Sequence, residues 1–160
     1  MAPALHDDVA PLGFLIGTWR GEGRGGYPTI EPFSYREELT FEHVGEPYLL
    51  YRQESWGLED GAPLHFERGF LRPGDGDGSL ELCLAHPLGL TEVAHGSFAG
   101  RSLTLTAVAA GIGHTTTGMD VQSLARRYLV EDDVLRYELD MEMGATPMTR
   151  HLDATLRRVS

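Results

Sequence analysis

Histidine is the residue through which this 160-residue chain could most readily hold a metal or move a proton, because neutral imidazole ligates metals and titrates near neutrality. No two of its histidines have the H-E-x-x-H spacing of a helical zinc site, and no Gly-x-Ser-x-Gly segment offers a nucleophile. A single histidine in a β protein is usually an ordinary polar residue, and we expect this of most of them. His151 is the exception, because it lies in a last strand entered from a Gly-Ala-Thr-Pro turn. The seven histidines are His6, His43, His65, His86, His95, His114 and His151.

Cysteine content and charge exclude several classes of protein. Cys83 is the only cysteine, so an internal disulfide, a Cys-based zinc site and a Cys-ligated iron–sulfur cluster are ruled out. The 13 basic residues stand against 24 acidic ones, and the net charge of -11 argues against a nucleic-acid partner. No apolar run approaches the ~20 residues of a membrane-spanning helix, and the first residues lack a signal-peptide pattern. We expect a cytoplasmic protein with neither a membrane nor a nucleic-acid partner.

The densest local pattern is the glycine-rich segment from Gly17 to Thr29. Its Gly21, Gly23 and Gly26 formally match the G-x-G-x-x-G dinucleotide motif, but that motif needs a helix directly after it to hold pyrophosphate. The next three residues give no such helix. We therefore favour a structural role, in which Trp19 fills one end of a barrel and the glycines allow the first strand to bend and to be approached closely.

The elements that must position these residues are mainly strands. Turn signals recur at short intervals between alternating segments, of which Val134 to Met143 is the clearest, and the only helical segment runs from Asp8 to Ile16. Nine or ten antiparallel strands in one chain argue for closure, because an open sheet would leave long unpaired edges. The sequence predicts an all-β fold, a closed antiparallel up-and-down β-barrel of about ten strands with a short N-terminal helix. We expect one domain over residues 1–160, and a two-sheet sandwich stays open.

Several motifs together resemble one family. They are the Gly17-x-Trp19-x-Gly21-x-Gly23 segment with Tyr27-Pro28-Thr29 after it, Arg126-Arg127-Tyr128, Leu135-x-Tyr137 in a strand ending in Met141, and the terminal His151-Leu152-x-Ala154-x-Leu156-x-Arg158. The set, which extends from about Leu12 to Arg158, resembles the nitrobindins. These are haem-binding ten-stranded β-barrels, also found as the C-terminal domain of a human THAP-type protein.

The resemblance implies a site and an activity. His151 matches the proximal ligand of one b-type haem per chain, and Thr29 matches a pocket residue that contacts the haem. Four residues match the family signature and are expected to shape the barrel mouth without performing chemistry: Gly17, Trp19, Gly21 and Gly23. The implied activity is isomerisation of peroxynitrite to nitrate at ferric haem, with reversible binding of nitric oxide and no catalytic group beyond the haem iron. Homodimerisation is left open.

General chemistry is consistent with this interpretation. A single protein ligand leaves the sixth iron position open for a small molecule. Isomerisation has no net electron requirement, so no reductase partner is needed. The net charge would repel an anionic substrate, so either the neutral conjugate acid enters or the mouth is locally basic, where Arg24 could contribute.

Strand alternation creates one conflict with the family pattern. It places His151 on the face opposite Leu152, Ala154 and Leu156. If the leucine face is the barrel interior, His151 points outward unless a bulge or bend intervenes near the start of the strand.

Two other functions compete with the haem enzyme. A closed barrel of this size could carry a lipophilic molecule without catalysis. Alternatively the domain could sense haem or nitric oxide, although no output module is recognisable in the sequence.

Overall fold

The computed structural model describes all 160 residues and is built almost entirely from strands. A 3-10 helix, Asp7–Leu15, comes first, and a 3-10 turn, Ala109–Gly111, follows the seventh strand. The strands are β1 (Gly17–Tyr27), β2 (Ile30–His43), β3 (Leu49–Gly57), β4 (Pro63–Pro73), β5 (Ser79–His86), β6 (Leu90–Ala99), β7 (Ser102–Ala107), β8 (Ile112–His114), β9 (Val121–Glu131), β10 (Val134–Met143) and β11 (Thr146–Arg158). Neither 3-10 element has the length or apolar character needed to cross a membrane.

Ten of the strands close into an antiparallel barrel. The order is β5-β4-β3-β2-β1-β11-β10-β9-β7-β6, and β6 pairs back onto β5 to complete the ring. β8 is a short extra strand that pairs with one end of β6. The predicted fold class is confirmed, including the strand from Val134 to Met143 and the short N-terminal helix. Because the ring is closed, the sandwich alternative is wrong.

The 3-10 helix closes one end of the barrel. Its Val9, Leu12 and Leu15 are fully buried, and so is Trp19 at the start of β1. The indole Nε1 of Trp19 donates to the Leu15 carbonyl oxygen at 2.8 Å, and the Arg158 guanidinium lies 4.1 Å from the centre of the indole ring. Trp19 therefore fills a barrel end, as its place in the sequence predicts.

Two inward-facing glycines of β1 make room for aromatic rings of β2. A Cβ atom at Gly23 would overlap the ring of Tyr35, and a Cβ atom at Gly25 would overlap the ring of Phe33. The glycine-rich pattern thus permits close approach, as expected, but the approaching groups are side chains of the neighbouring strand. These two rings therefore lie close against the backbone of β1, and both line the cavity described below.

Candidate functional site

A cavity opens at the barrel end opposite the 3-10 helix. Its volume is about 310 Å³, within the roughly 300–1,000 Å³ typical of ligand pockets, and 14 of its 21 lining residues are hydrophobic. The wall is formed by strand ends and turns at this end of the barrel, including the β1–β2, β5–β6 and β8–β9 connections. Such a cavity suits a largely apolar ligand held by a few polar groups.

A β-bulge turns His151 into this cavity. On β10, Leu139 pairs with Leu152 and Asp140 pairs with Arg150, so His151 is the extra residue between two regular pairs. His151 and Leu152 are both half-buried and both line the cavity, although adjacent residues of a regular strand face opposite sides. Strand alternation left an inward His151 possible only with a bulge or bend near the start of the strand, and the bulge observed here meets that condition.

The backbone of β1 fixes the tautomer of His151. The Nδ1 atom lies 2.9 Å from the carbonyl oxygen of Gly26, and because a carbonyl can only accept, Nδ1 carries the proton. Nε2 has no hydrogen-bond partner in the protein, so its lone pair is free. Burial lowers the pKa of His151. The hydrogen bond to Gly26 raises this pKa and so opposes the effect of burial, whereas the nearby His65 lowers it further. Together these effects favour a neutral imidazole with a free Nε2, which is the form that ligates a metal.

Aromatic rings support the imidazole from two sides. The Tyr27 ring centre is 5.6 Å from that of His151 at an interplanar angle of 81°, and the Phe33 centre is at 6.5 Å and 64°. The Tyr27 hydroxyl donates to the Met141 carbonyl oxygen at 2.9 Å, which ties this ring to β10. The orientation of His151 is therefore set by packing as well as by its hydrogen bond.

The other sequence-predicted residues divide into two groups. Thr29, in the turn between β1 and β2, lines the cavity together with His151 and is exposed at its mouth. The signature residues do not line it: Gly17 and Trp19 lie at the closed end, and Gly21 and Gly23 lie along β1 between the two ends. None of the four signature residues is part of the wall of this cavity.

A buried ionic cluster, which the sequence did not lead us to expect, forms part of the cavity floor. Arg126 on β9 is fully buried and forms bidentate pairs with two carboxylates. Its Nη1 and Nη2 lie 3.0 and 2.9 Å from the oxygens of Glu67, and its Nε and Nη2 lie 2.8 and 2.7 Å from those of Glu92. Tyr51 donates to Glu67 at 3.0 Å. One guanidinium thus faces two carboxylates, which leaves one negative charge uncompensated.

Two histidines extend this cluster toward the cavity. His65 Nε2 lies 3.2 Å from Glu67 Oε1 and 3.1 Å from His86 Nδ1, while His86 Nε2 lies 2.9 Å from Glu92 Oε1. Because a carboxylate accepts, His86 Nε2 carries the proton and its Nδ1 is an acceptor. Both rings are held by hydrogen bonds to the buried carboxylates, and the alternation of the sequence did not indicate that they would meet.

The ionisation of the cluster follows from burial and its partners. Burial alone would raise the pKa of Glu67, but Arg126 and the two histidines lower it well below its usual value. Burial would likewise raise the pKa of Glu92, and Arg126 with His86 lowers it. Glu37 is also buried but lacks a cation of its own, and burial together with the Glu67 charge raises its pKa to about 8. Glu67 and Glu92 are therefore charged at neutral pH, and Glu37 is mostly protonated.

Arg24 lies outside the site. It is exposed on the outer face of β1 and does not line the cavity, so the suggested contribution to a basic mouth is wrong. Arg126 is the only basic residue other than histidine in the wall, and the carboxylates of the cluster neutralise it. No free positive charge lines the cavity.

Comparisons with known proteins identify a family and relatives of this chain. Residues 8–158 match the model of the family described as "THAP4-like, heme-binding beta-barrel domain". A protein of Mycobacterium marinum named "Peroxynitrite isomerase 2" is 45% identical over 162 residues, covering 100% of both chains. A "Peroxynitrite isomerase" of Nocardia farcinica is 45% identical over 157 residues, covering 97% of this chain and 93% of that one. The crystal structure of Rv2717c from M. tuberculosis superposes with a TM-score of 0.89 at 40% identity, covering 98% of this chain and 100% of that one.

Proposed function

Because the chain belongs to the family of THAP4-like haem-binding β-barrel domains, we propose that it binds one b-type haem through His151 and isomerises peroxynitrite to nitrate. Nitric oxide is proposed as a second ligand of the same iron. The observation that supports this proposal most directly is the bulge in β11, which turns the His151 imidazole into an apolar cavity. The ring is neutral, its Nδ1 donates to the Gly26 carbonyl oxygen, and the lone pair of its Nε2 is free. The names of the relatives support the reaction.

The residues present fit the haem group. A planar apolar macrocycle needs a hydrophobic wall, which the cavity supplies, and an axial ligand with a free lone pair, which His151 supplies. Thr29 at the mouth is proposed to contact the haem. Two other histidines line the cavity, His65 and His86, but the Nε2 of His65 and both ring nitrogens of His86 are hydrogen-bonded within the ionic cluster, so His151 is the stronger candidate for the haem ligand.

Bound ferric haem would supply an iron with one coordination position left open for a small oxygen- or nitrogen-containing ligand. The protein contributes by holding the haem and by confining the small reacting molecules beside it. Gly26 fixes the tautomer of His151 and so aims its lone pair, while the apolar wall excludes water and keeps small fragments in contact. Isomerisation conserves atoms and electrons, so no residue has to deliver an electron and no reducing partner is required.

The substrate is proposed to enter as the neutral acid. The chain carries a net charge of -11, and the cavity wall offers no unpaired cation to attract an anion. Of the two routes that the sequence left open, a basic mouth or a neutral substrate, the structure favours the second.

Hemin titration with matched variants tests the ligand assignment. We expect the wild-type chain to bind one equivalent of hemin with a Soret band of histidine-ligated iron, and His151→Ala to lose that coordination. His65→Ala removes another histidine ring of the cavity wall and is expected to keep this coordination. A Soret band that survives in His151→Ala and is lost in His65→Ala would reassign the iron ligand.

Kinetics then separate enzyme, sensor and carrier. The haem-loaded chain should accelerate peroxynitrite decay over many turnovers with nitrate as the product, and nitric oxide should shift the haem spectrum reversibly. Consumption that stops at one equivalent would favour a sensor or scavenger. A co-purified lipid identified by mass spectrometry, without defined iron coordination, would favour the carrier. The single domain, the cytoplasmic location and any homodimer stay predictions from the sequence.

A further inference from the structure

We propose that His65, Glu67 and His86 form a second metal site, separate from the haem ligand, which binds one divalent first-row transition-metal ion such as Zn²⁺. The proposal does not depend on haem binding. It rests on the geometry of three ligand atoms, on the charge of the surrounding cluster and on access from the cavity.

The three ligand atoms are already arranged around a common point. His65 Nε2 lies 3.2 Å from Glu67 Oε1 and 3.1 Å from His86 Nδ1, and the last two atoms are 3.6 Å apart. Metal–ligand distances of roughly 2.0–2.2 Å place tetrahedral or octahedral ligand atoms about 2.9–3.5 Å apart. An ion can therefore be accommodated with side-chain shifts of a few tenths of an ångström. Two imidazoles and one carboxylate are a donor set that zinc and neighbouring divalent metals use.

The surrounding residues orient the ligands as metal sites require. Glu92 accepts from His86 Nε2, so the Nδ1 of that ring faces Glu67 and His65 unprotonated. Arg126 and Tyr51 bind the oxygens of Glu67 and hold its carboxylate in place. Such carboxylate–histidine–metal arrangements fix the tautomer and raise the basicity of the ligand.

The charge of the cluster also calls for a cation. Glu67 and Glu92 share the single guanidinium of Arg126, which donates two hydrogen bonds to each carboxylate, so two buried acidic groups face one buried cation. An uncompensated buried charge is costly, and a divalent ion on Glu67 would remove the deficit. A proton bound by the imidazole pair is the competing occupant.

Entry and remaining coordination are supplied by the cavity. All three ligand residues line it, and the His65 side chain is 21% exposed while those of Glu67 and His86 are almost fully buried. The coordination positions that the protein leaves unfilled would therefore face the cavity, where water or a small anion can occupy them.

Titration of the full-length, haem-free chain with ZnCl₂, followed by calorimetry, tests the site. We expect one equivalent of Zn²⁺ to bind. The affinity should fall by about 100-fold or more in His65→Ala and in His86→Ala, because removal of a residue that only hydrogen-bonds to a metal ligand already costs about 10–100-fold. His95→Ala, at an exposed histidine of β6, is the matched control and should bind as the wild type does. Co²⁺ in place of Zn²⁺ should give a visible absorption spectrum that the two ligand variants lack.

Further variants distinguish this site from its alternatives. His151→Ala should retain zinc binding, because His151 is not a ligand of the proposed ion. If His151→Ala lost as much zinc affinity as the ligand variants, the ion would be bound at His151 and the proposal would be overturned. Wild-type zinc affinity in both His65→Ala and His86→Ala would also overturn it. Absence of zinc binding to the folded wild-type chain would leave the proton as the occupant and also overturn it. If Glu67→Gln or His86→Ala does not fold, His65→Ala decides, because His65 has no contact with Arg126.

Discussion

Replacement of Glu37 by glutamine should stabilise the folded chain, and increasingly so as the pH rises. Glu37 is buried beside the charge of Glu67, and its pKa is raised from 4.5 to about 8. The folded chain therefore keeps this proton to a higher pH than the unfolded chain, and unfolding releases it. Between those two pKa values a rise in pH favours unfolding, whereas below pH 4.5 both states are protonated and the effect vanishes.

The magnitude follows from the same two values. Each pH unit between them costs the wild-type chain about 1.4 kcal/mol, which amounts to about 3 kcal/mol at pH 7 and about 5 kcal/mol above pH 8. Glutamine has the shape of the protonated acid and does not titrate, so Glu37→Gln escapes this cost. The difference in unfolding free energy between variant and wild type should therefore grow with pH and level off above about pH 8.

Urea denaturation from pH 5 to 9, monitored by tryptophan fluorescence, measures the unfolding free energies of variant and wild type. Groups that titrate alike in both proteins contribute equally to the two values, so their contributions cancel in the difference. Glu42→Gln, an exposed carboxylate on the same strand, is the matched control and should stay within about 0.5 kcal/mol of wild type. A Glu37→Gln difference that does not change with pH would refute the reasoning, because it would mean that burial and the Glu67 charge do not hold a proton on Glu37.

Three further predictions concern the cluster, the first strand and the haem ligand. Arg126→Met should destabilise the chain by about 3–5 kcal/mol in urea denaturation, because it leaves two buried carboxylates without a cation; a loss below about 1 kcal/mol would contradict the ionic assignment. Gly23→Ala should cost about 1–3 kcal/mol by the same measurement, since its methyl group displaces the Tyr35 ring, and a neutral effect would show that the ring moves freely. Because burial lowers the pKa of His151, hemin affinity should hold at mildly acidic pH and fall as the pH drops below that pKa. Hemin titration of His151→Ala should lack this decline with pH. A parallel decline in the variant would exclude protonation of His151 as the cause of the decline.

Local patterns allowed most of the fold to be predicted. Alternation in Val134 to Met143 reflects a strand with one face in the core, and the dense turn signals reflect antiparallel neighbours joined by short connections. Alternation also excluded an inward His151 in a regular strand, and so indicated that a bulge or bend was needed. It did not indicate which residue would be the extra one, because that is fixed by pairing with β10, which is a tertiary contact.

The ionic cluster was predictable in part. Arg126 occupies the same face of its strand as Leu124 and Tyr128, and Glu67 shares a face with Leu71, so charged residues at inward positions were visible in the alternation. Their mutual contact was not, because it joins side chains from β4, β6 and β9 across the barrel interior. Which charges meet inside a barrel depends on strand tilt and register, and neither can be obtained from one sequence.

Pairing of β1 with β11 brings the start of β1 and the last residues of β11 to the same pole of the molecule. Thr18 N donates to Ser160 O at 3.1 Å, and Val159 N donates to Thr18 O at 2.8 Å. The cavity opens at the opposite pole. A group attached after residue 160, such as a fluorescent reporter, an immobilisation tether or a fused domain, would therefore lie away from the mouth of the cavity. It would not obstruct the entry or exit of small molecules.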